Sequence, residues 1–573
     1  MAVDIAAVVG TLQPMINWWR ARFDAVAPPT RSRLAIGLIL AAAAFHVALA
    51  WQARNPGIMV GQDDAQYLIL GQSIRAGGYH ETFRVDRPVH AIYPPAYPAM
   101  LALWGLLVGD RYDGLVVLSL LFGGASVAVL GLTLRRITAP ALAVAASWLL
   151  AVNGDLIRFT GAISSEAPYL FASVASLALL ARPASRQTLL AAGALAILAG
   201  LTRVVGVTLI GAIGLHWLLE RRFRAVGWLA LGAAVTVGGW LLWTALAPEQ
   251  FEGVSYLHDL TAGVQPSDGI TPLSKRPFVN GVYYLKRFAW AVGVPTVEGT
   301  TIDNAVAGLG LTIAGLVGLA ILIRRWRPAG LYAVGYLAML GVWTWVVERY
   351  LMPVESFLIP AVVLGAGAVA ARVRPAGLVP VGVGVAALLG LTAAGRAAEA
   401  ATRWSGCDRG GRMPPPACLT PDQADFFEAL RHLEASTPPD AVVLAAKYVT
   451  AHYYTRRPTV SLRGALARDS TTLIRFLRDQ GVSRVLLGRL LFLEGNELGP
   501  SLRPVCRDLI VERSFGRATH LFRLAEPGPS TATSPDACAI IDDYLRLTAG
   551  DDFGEFVPRL LDRRGSSAPR PSR

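Results

Sequence analysis

Apolar residues run through this chain in long, nearly unbroken stretches, not in the short alternations of a soluble domain. The first covers about 33–52 and ends at Trp51, which suits an interfacial anchor. Ten more follow, at about 113–134, 138–153, 166–181, 187–202, 204–219, 225–247, 303–323, 329–347, 353–371 and 376–395. A helix rises 1.5 Å per residue, so roughly 20 apolar residues cross the bilayer core. The pattern therefore predicts an α-helical polytopic membrane protein of about eleven spans, over 33–395. Residues 1–32 precede them. Trp18, Trp19, Arg20 and Arg22 there lead into Pro28-Pro29, without the apolar core and small-residue cleavage site of a signal peptide.

The polar connections sort by charge. Arg135-Arg136, Arg182 with Arg186, Arg221-Arg222-Arg224, Arg324-Arg325-Arg327 and Arg372 with Arg374 occupy alternate connections. Short arginine-rich loops stay in the cytoplasm, which puts the N-terminus inside and 53–112, 154–165, 248–302 and 396–573 outside. Composition agrees with the pattern. Of 573 residues, 53% are hydrophobic and 16% charged, whereas a soluble domain carries about 25% charged residues. A soluble enzyme, a coiled coil and a disordered chain are excluded. The net charge of +13, from 53 Lys+Arg against 40 Asp+Glu, is nearly all arginine, with lysine only at Lys275, Lys286 and Lys447. Its place in alternate loops assigns it to topology, so no nucleic-acid partner is expected.

After residue 396 the pattern changes. Past Pro414-Pro415-Pro416, it predicts helices at about 421–436, 448–455 and 470–480. Strands fall at 441–446 and 485–487, and at 508–514 and 519–524 as a hairpin around Gly516. Strand alternating with helix predicts a small α/β domain over 396–525. Residues 526–573 then supply a linker (526–535), a helix (536–548) and a Ser/Pro/Arg-rich tail (565–573), expected to be disordered. All four cysteines, Cys407, Cys418, Cys506 and Cys538, lie beyond the last span. An even number there suits an oxidising compartment. Three pairings are possible, and proximity favours Cys407–Cys418 with Cys506–Cys538. No C-x-x-C, GxGxxG, P-loop or HExxH occurs, so zinc and nucleotide sites have no support.

The candidate chemistry lies in the outer segments. The first reads Asp63-Asp64-Ala65-Gln66-Tyr67, in a helix that sets Tyr67, Leu68 and Ile74 to one side, as in a helix lying on the membrane. Either aspartate is a good helix cap, and adjacent carboxylates just outside a span are equally a mark of function. Further on come His90 and Tyr93-Pro94-Pro95-Ala96-Tyr97, then an apolar piece, 99–108, too short to cross. Ser165-Glu166 opens the fourth span. Leu201-Thr202-Arg203 tips a helix hairpin, and Glu348-Arg349-Tyr350-Leu351-Met352-Pro353 joins two spans. Arginine on the outer face runs against the usual bias and needs an anion, either Glu348 or a lipid phosphate. His46 and His216, inside spans, read as satisfied core residues. The loop 248–302, with Lys275-Arg276-Pro277 and Tyr283-Tyr284, reads as a lid over the site or as a plain covering loop.

These motifs, in this order and on this face, resemble the polytopic GT-C glycosyltransferases of the protein mannosyltransferase, aminoarabinose transferase and RgtA-like group (families 39 and 83). The matching residues are Asp63-Asp64-Ala65-Gln66-Tyr67, Pro94-Pro95-Ala96-Tyr97, Ser165-Glu166, Leu201-Thr202-Arg203 and Arg349-Tyr350-Leu351-Met352-Pro353. The resemblance covers 33–395 well and 396–525 loosely. Two positions depart from it: Asp64 stands where Glu is usual, and Tyr93 where relatives carry Lys or His.

What the resemblance implies is a glycosyltransferase of the bacterial inner membrane with an extracytoplasmic C-terminal domain. The sugar donor is polyprenyl-phosphate-linked, the acceptor is a hydroxyl of a glycan, lipid or protein, and no metal or other cofactor takes part. Asp63, or else Asp64, serves as general base, and Glu166 orients the acceptor or pairs with an arginine. Arg349 and Arg203 hold the donor phosphate, with His90, Arg87 or Arg84 in place of the missing cation. Tyr67, Tyr93, Tyr97 and Tyr350 line the substrates. The alternative is a transporter or flippase of lipid-linked sugar. The sugar, the acceptor and the oligomeric state are not legible.

Overall fold

The computed structural model describes residues 28–58, 63–246, 273–294, 301–343, 346–373, 377–402, 407, 412–460, 470–490, 498–525 and 535–548. Each predicted apolar stretch is helical over most of its described residues. The membrane part begins with α1 (Pro28–Gln52), followed by α2 (Asp63–Arg75) and α3 (Ala96–Val108) of the first outer loop. Then come α4 (Tyr112–Ile137), α5 (Pro140–Ala151), α6 (Gly154–Thr160), α7 (Glu166–Leu180), α8 (Arg186–Thr202) and α9 (Val207–Leu219). The next is α10 (Phe223–Leu246), which has a π-turn at Ala234–Gly238. It is followed by α11 (Arg276–Ala291), α12 (Thr301–Arg325), α13 (Arg327–Val342), α14 (Met352–Val373) and α15 (Leu378–Thr402).

Six of these, α1, α4, α10, α12, α14 and α15, are long and apolar enough to cross a bilayer. Helices α5 and α6, a pair bent by 60°, together are long and apolar enough for a broken span or a re-entrant loop. The remaining predicted spans, α7, α8, α9 and α13, have only 15, 17, 13 and 16 residues. Helices of that length serve where protein, not lipid, surrounds their ends and satisfies the backbone there. The chain is a multi-pass membrane protein. The arginine turns gather at one end of the bundle. Arg135 donates to Ser32 Oγ at 2.7 Å and Arg325 to the carbonyl of Ile137 at 3.2 Å. Close packing comes from small residues: a Cβ at Gly318 or Gly365 would overlap the carbonyl of Ala361 or Ala314, so α12 and α14 meet backbone to backbone.

Beyond the last span, α16 (Pro421–Ser436) starts at a capping box formed by Thr420 and Gln423. Strand β1 (Val442–Ala445), α17 (Tyr448–Thr455), α18 (Ser470–Asp479) and β2 (Val482–Leu487) follow. The last elements are β3 (Leu509–Phe515), β4 (Thr519–Leu524) and α19 (Pro535–Thr548). The sheet order is β1-β2-β4-β3, with β1 parallel to β2 and the other pairs antiparallel. Gly516 takes the hairpin turn at φ +63°, a conformation costly for other residues. Strand β2 starts three residues earlier than its sequence predicts, because Val482 and Arg484 pair with β1 despite their weak apolar pattern. Both favoured disulfides are present, with Cα–Cα distances of 5.5 Å for Cys407–Cys418 and 5.0 Å for Cys506–Cys538. The predicted linker, apart from Pro535, and the tail lie outside the described residues.

The sheet domain does not stand apart from the first outer loop. Phe83, Tyr97 and Leu68 share one core with Phe427, Tyr454 and Leu486. The backbones pair as well: Thr459 N–H donates to the carbonyl of Phe83 at 2.8 Å, and Val85 N–H to that of Thr459 at 3.2 Å. This corrects the expectation for α2. It is not a membrane-surface helix with one wet face, because Asp64 through Gly71 are all buried. Helix α3, the apolar piece too short to cross, buries Tyr97, Leu101 and Gly105, while Leu106 and Leu107 are 69% and 78% exposed.

Candidate active site

The site forms where α2, α7, the α8–α9 turn and the start of α14 reach the same end of the bundle, opposite the arginine turns. Asp63 is the first residue of α2, and its Oδ2 makes an ion pair with the guanidinium of Arg349. Its other oxygen accepts a hydrogen bond from the Tyr93 hydroxyl at 2.7 Å. Arg349 lies in the single 3-10 turn Glu348–Tyr350, between α13 and α14. The two residues are 286 positions apart in sequence.

A second pair stands beside the first. Glu166, in the first turn of α7, lies 2.5 Å from Arg203, which caps the end of α8. Arg203 also donates to Ser165 Oγ at 2.8 Å, and Ser165 is 3.0 Å from the Tyr67 hydroxyl. The Tyr350 ring sits between the two cations: the guanidinium carbons of Arg203 and Arg349 are 5.8 and 5.4 Å from its centroid. Tyr67 packs against both Tyr93 and Tyr97, with ring centroids 4.8 and 4.9 Å apart. Two carboxylates and two guanidiniums thus meet among four tyrosines.

Burial pushes the Asp63 carboxyl up, but Arg349, Tyr93 and Arg203 outweigh it, and the group is held below its ordinary 3.8. Burial and the Asp63 charge raise the Tyr93 hydroxyl, which stays protonated and able to donate.

Other predicted residues fall elsewhere. Asp64 is fully buried, its Oδ1 accepts the Ala65 N–H at 2.9 Å, and its charge is felt at Tyr454 of α17. Its charge is also felt at Tyr97 and Tyr112, and the carboxylate that pairs with Arg349 is that of Asp63. His90 has no ring nitrogen left for a phosphate: Nδ1 lies 2.8 Å from Glu81 and Nε2 accepts the Tyr93 N–H at 2.7 Å. It braces the loop that carries Tyr93. Arg87 is exposed in a positive-φ turn and its charge reaches His452, so it belongs to the side facing the sheet domain. Arg84 is taken by Asp86 at 2.7 Å. Glu348 is not the anion for Arg349; it pairs with Arg158 at 3.0 Å, while Asp63 takes Arg349.

Sequence reasoning missed Ser165 as a bridge, and it missed a neighbouring buried group. Asp155 of α6 pairs with Arg287 of α11, and both oxygens of the buried Glu355 on α14 lack a hydrogen-bond partner among the described residues. One signal was available: Arg158 and Asp155 are the charged residues of an otherwise apolar or small outer loop. His46 is a satisfied core residue, held by Ala151 O at 3.0 Å and Thr160 Oγ1 at 3.1 Å. His216 is buried too, but its Nδ1 has no hydrogen-bond partner among the described residues. Most of the 248–302 loop, 248–272 and 295–300, lies outside the described residues. The rest is α11 and its flanks.

No protein-family model and no curated protein matches this chain. Solved structures do. ArnT from Cupriavidus metallidurans in the apo state superposes with a TM-score of 0.55 at 15% identity, covering 86% of this chain and all of that one. The same ArnT bound to undecaprenyl phosphate gives 0.51 at 15% identity, over 88% of this chain and all of that one. The apo oligosaccharyltransferase of Archaeoglobus fulgidus gives 0.50 at 12% identity, over 86% of this chain and 74% of that one. The chain has the fold of the GT-C polytopic membrane glycosyltransferases, with a small sheet domain attached.

Proposed function

We propose that this protein is a membrane glycosyltransferase. It moves a sugar from a polyprenyl-phosphate-linked donor to an acceptor hydroxyl, with inversion, at the extracytoplasmic face of a bacterial inner membrane. The observation that carries this reading is the Asp63–Arg349 ion pair at one end of the bundle, beside Arg203 and Glu166. The fold shared with ArnT, a protein crystallised with undecaprenyl phosphate, supports it.

At rest the two carboxylates and two guanidiniums balance. A donor phosphodiester brings one more negative charge, and it takes Arg349 because a guanidinium fork matches phosphate oxygens. Asp63 then loses the partner that held its pKa down, burial prevails, and the carboxylate becomes a better base. The acceptor oxygen attacks the anomeric carbon as its proton passes to Asp63. The bond from that carbon to the phosphate oxygen breaks, and polyprenyl phosphate leaves. The negative charge gained by the phosphate equals that lost by Asp63, so the site's net charge is unchanged through the step. Arg349 stabilises the leaving oxygen directly, and Arg203, still paired with Glu166, adds positive potential beside it. No metal enters this scheme, since the guanidiniums supply the positive charge.

The test uses purified protein with a panel of polyprenyl-phosphate sugars, measuring sugar transfer or release. Wild type turns over at least one donor, and Asp63→Asn and Arg349→Ala turn it over far more slowly. Full activity in Asp63→Asn removes it as base. Protease access to the sheet domain only from the cytoplasm rejects the sidedness.

A further inference from the structure

The loop between α2 and α3 brings Tyr93 to Asp63, and the backbone of Tyr93 is gripped on both sides. Its carbonyl accepts from the Tyr79 hydroxyl at 2.8 Å. Its N–H donates to His90 Nε2 at 2.7 Å. Pro94 follows directly and disfavours a helical backbone at Tyr93. With the backbone anchored at both polar groups, the side chain has a set direction, and its hydroxyl meets Asp63 Oδ1. His90 is itself fixed, since its own N–H donates to the Tyr79 carbonyl at 2.7 Å.

The Tyr93 contact dictates the protonation of the His90 ring. A backbone N–H only donates, so Nε2 must be bare. The single ring proton then sits on Nδ1, which lies 2.8 Å from Glu81 Oε1, an acceptor. The ring is neutral, in one tautomer, and Glu81 selects that tautomer. Arg84, 3.6 Å from the other Glu81 oxygen, meets the carboxylate charge, so no second ring proton is called for. His90 is fully buried and Glu81 is 5% exposed. The His90 ring also stacks on Tyr93, with centroids 5.4 Å apart.

We propose that His90 is a positioning residue for Asp63: with its tautomer fixed by Glu81, it holds the Tyr93 backbone and keeps the Tyr93 hydroxyl on the carboxylate. In the proposed step Arg349 leaves Oδ2, and Tyr93, still on Oδ1, stops the carboxylate from turning while Oδ2 takes the acceptor proton. The effect on turnover rests on the glycosyl-transfer reading, whereas the contact between His90 and Tyr93 does not.

Two substitutions separate the two arms of His90. His90→Gln places an amide oxygen where Nε2 stands and keeps an acceptor for Tyr93. His90→Asn reaches only as far as Nδ1, so it keeps an N–H for Glu81 and loses the Tyr93 contact. Thermal midpoints in detergent confirm folding. Hydrogen exchange at the Tyr93 amide, read by mass spectrometry with fragmentation, reports the contact without any substrate. Exchange should be about tenfold faster in His90→Asn than in wild type, and near the wild-type rate in His90→Gln. With a polyprenyl-phosphate sugar that the wild type turns over, kcat/KM should fall about tenfold in His90→Asn, as in Tyr93→Phe, and recover in His90→Gln. The double variant His90→Asn/Tyr93→Phe should lose no more than Tyr93→Phe alone, because both act through one hydroxyl. Equal amide exchange in all three proteins, unchanged turnover in His90→Asn, no recovery in His90→Gln, or losses that multiply in the double variant each overturn the proposal. A wild type that turns over no donor overturns the glycosyl-transfer reading and the role in transfer with it, while the exchange rates still decide the contact.

Discussion

The Asp63–Arg349 and Glu166–Arg203 pairs sit side by side, share one tyrosine, and differ in access. Side chains of the first are 18% and 29% exposed, those of the second 3% and 13%. Water and ligand reach the first pair, so its arginine can trade a carboxylate for a phosphate at modest desolvation cost. The second is closed: Glu166 has nowhere to send Arg203, and removing one charge strands the other. Equal chemistry on paper thus divides into an exchangeable contact and a fixed one, by burial alone.

The comparison breaks most sharply at Asp63. Asp63→Asn keeps the shape and loses the base, and transfer should fall by about 10³-fold or more, read as kcat. Asp64→Asn, which leaves the Asp63–Arg349 pair in place, should not reproduce that loss. Arg349→Ala should lower kcat by about 10²-fold, the scale of one lost oxyanion donor. It should also move the acid limb of kcat/KM. In the wild type, Asp63 is held below its ordinary 3.8, so the limb lies below that value. Without Arg349 the burial effect dominates and the limb moves upward. The sign is the same for stability: a depressed carboxyl contributes above its unfolded pKa and loses that contribution as pH falls through the folded one.

The closed pair should behave differently. Glu166→Ala leaves the Arg203 charge stranded, and the expected result is about 3 kcal/mol of lost stability, seen as a lower thermal midpoint in detergent. If Glu166→Ala instead keeps its midpoint while losing turnover, the division of roles is wrong. The smallest effect should come from Tyr93→Phe, which removes one hydrogen bond to Asp63 and should cost about tenfold in kcat/KM.

Much of the fold was legible because its signals are local. A long apolar run reads as a helix wherever it lands, and arginine-rich turns mark one end of the bundle. Helix α16 has the bounds its amphipathic pattern predicts. The motifs bearing Asp63, Glu166, Arg203 and Arg349 were visible as charges at the same predicted face. Partner choice was not. Arg349 sits next to Glu348 in the chain, yet it pairs with Asp63 across the molecule. His90, Arg87 and Arg84 looked interchangeable as cations until packing gave each a different neighbour.

Hydrophobic runs, charge asymmetry and cysteine placement by themselves determined a multi-span membrane chain with a small disulfide-bonded sheet domain, since each depends on the solvent a segment needs. The tertiary structure alone decided that α2 lies buried beneath that domain, that Asp63 and not Asp64 turns to Arg349, and that one ion pair is open and its neighbour closed. Those outcomes depend on which surfaces meet and how much water stays between them, and no single stretch of sequence carries that information.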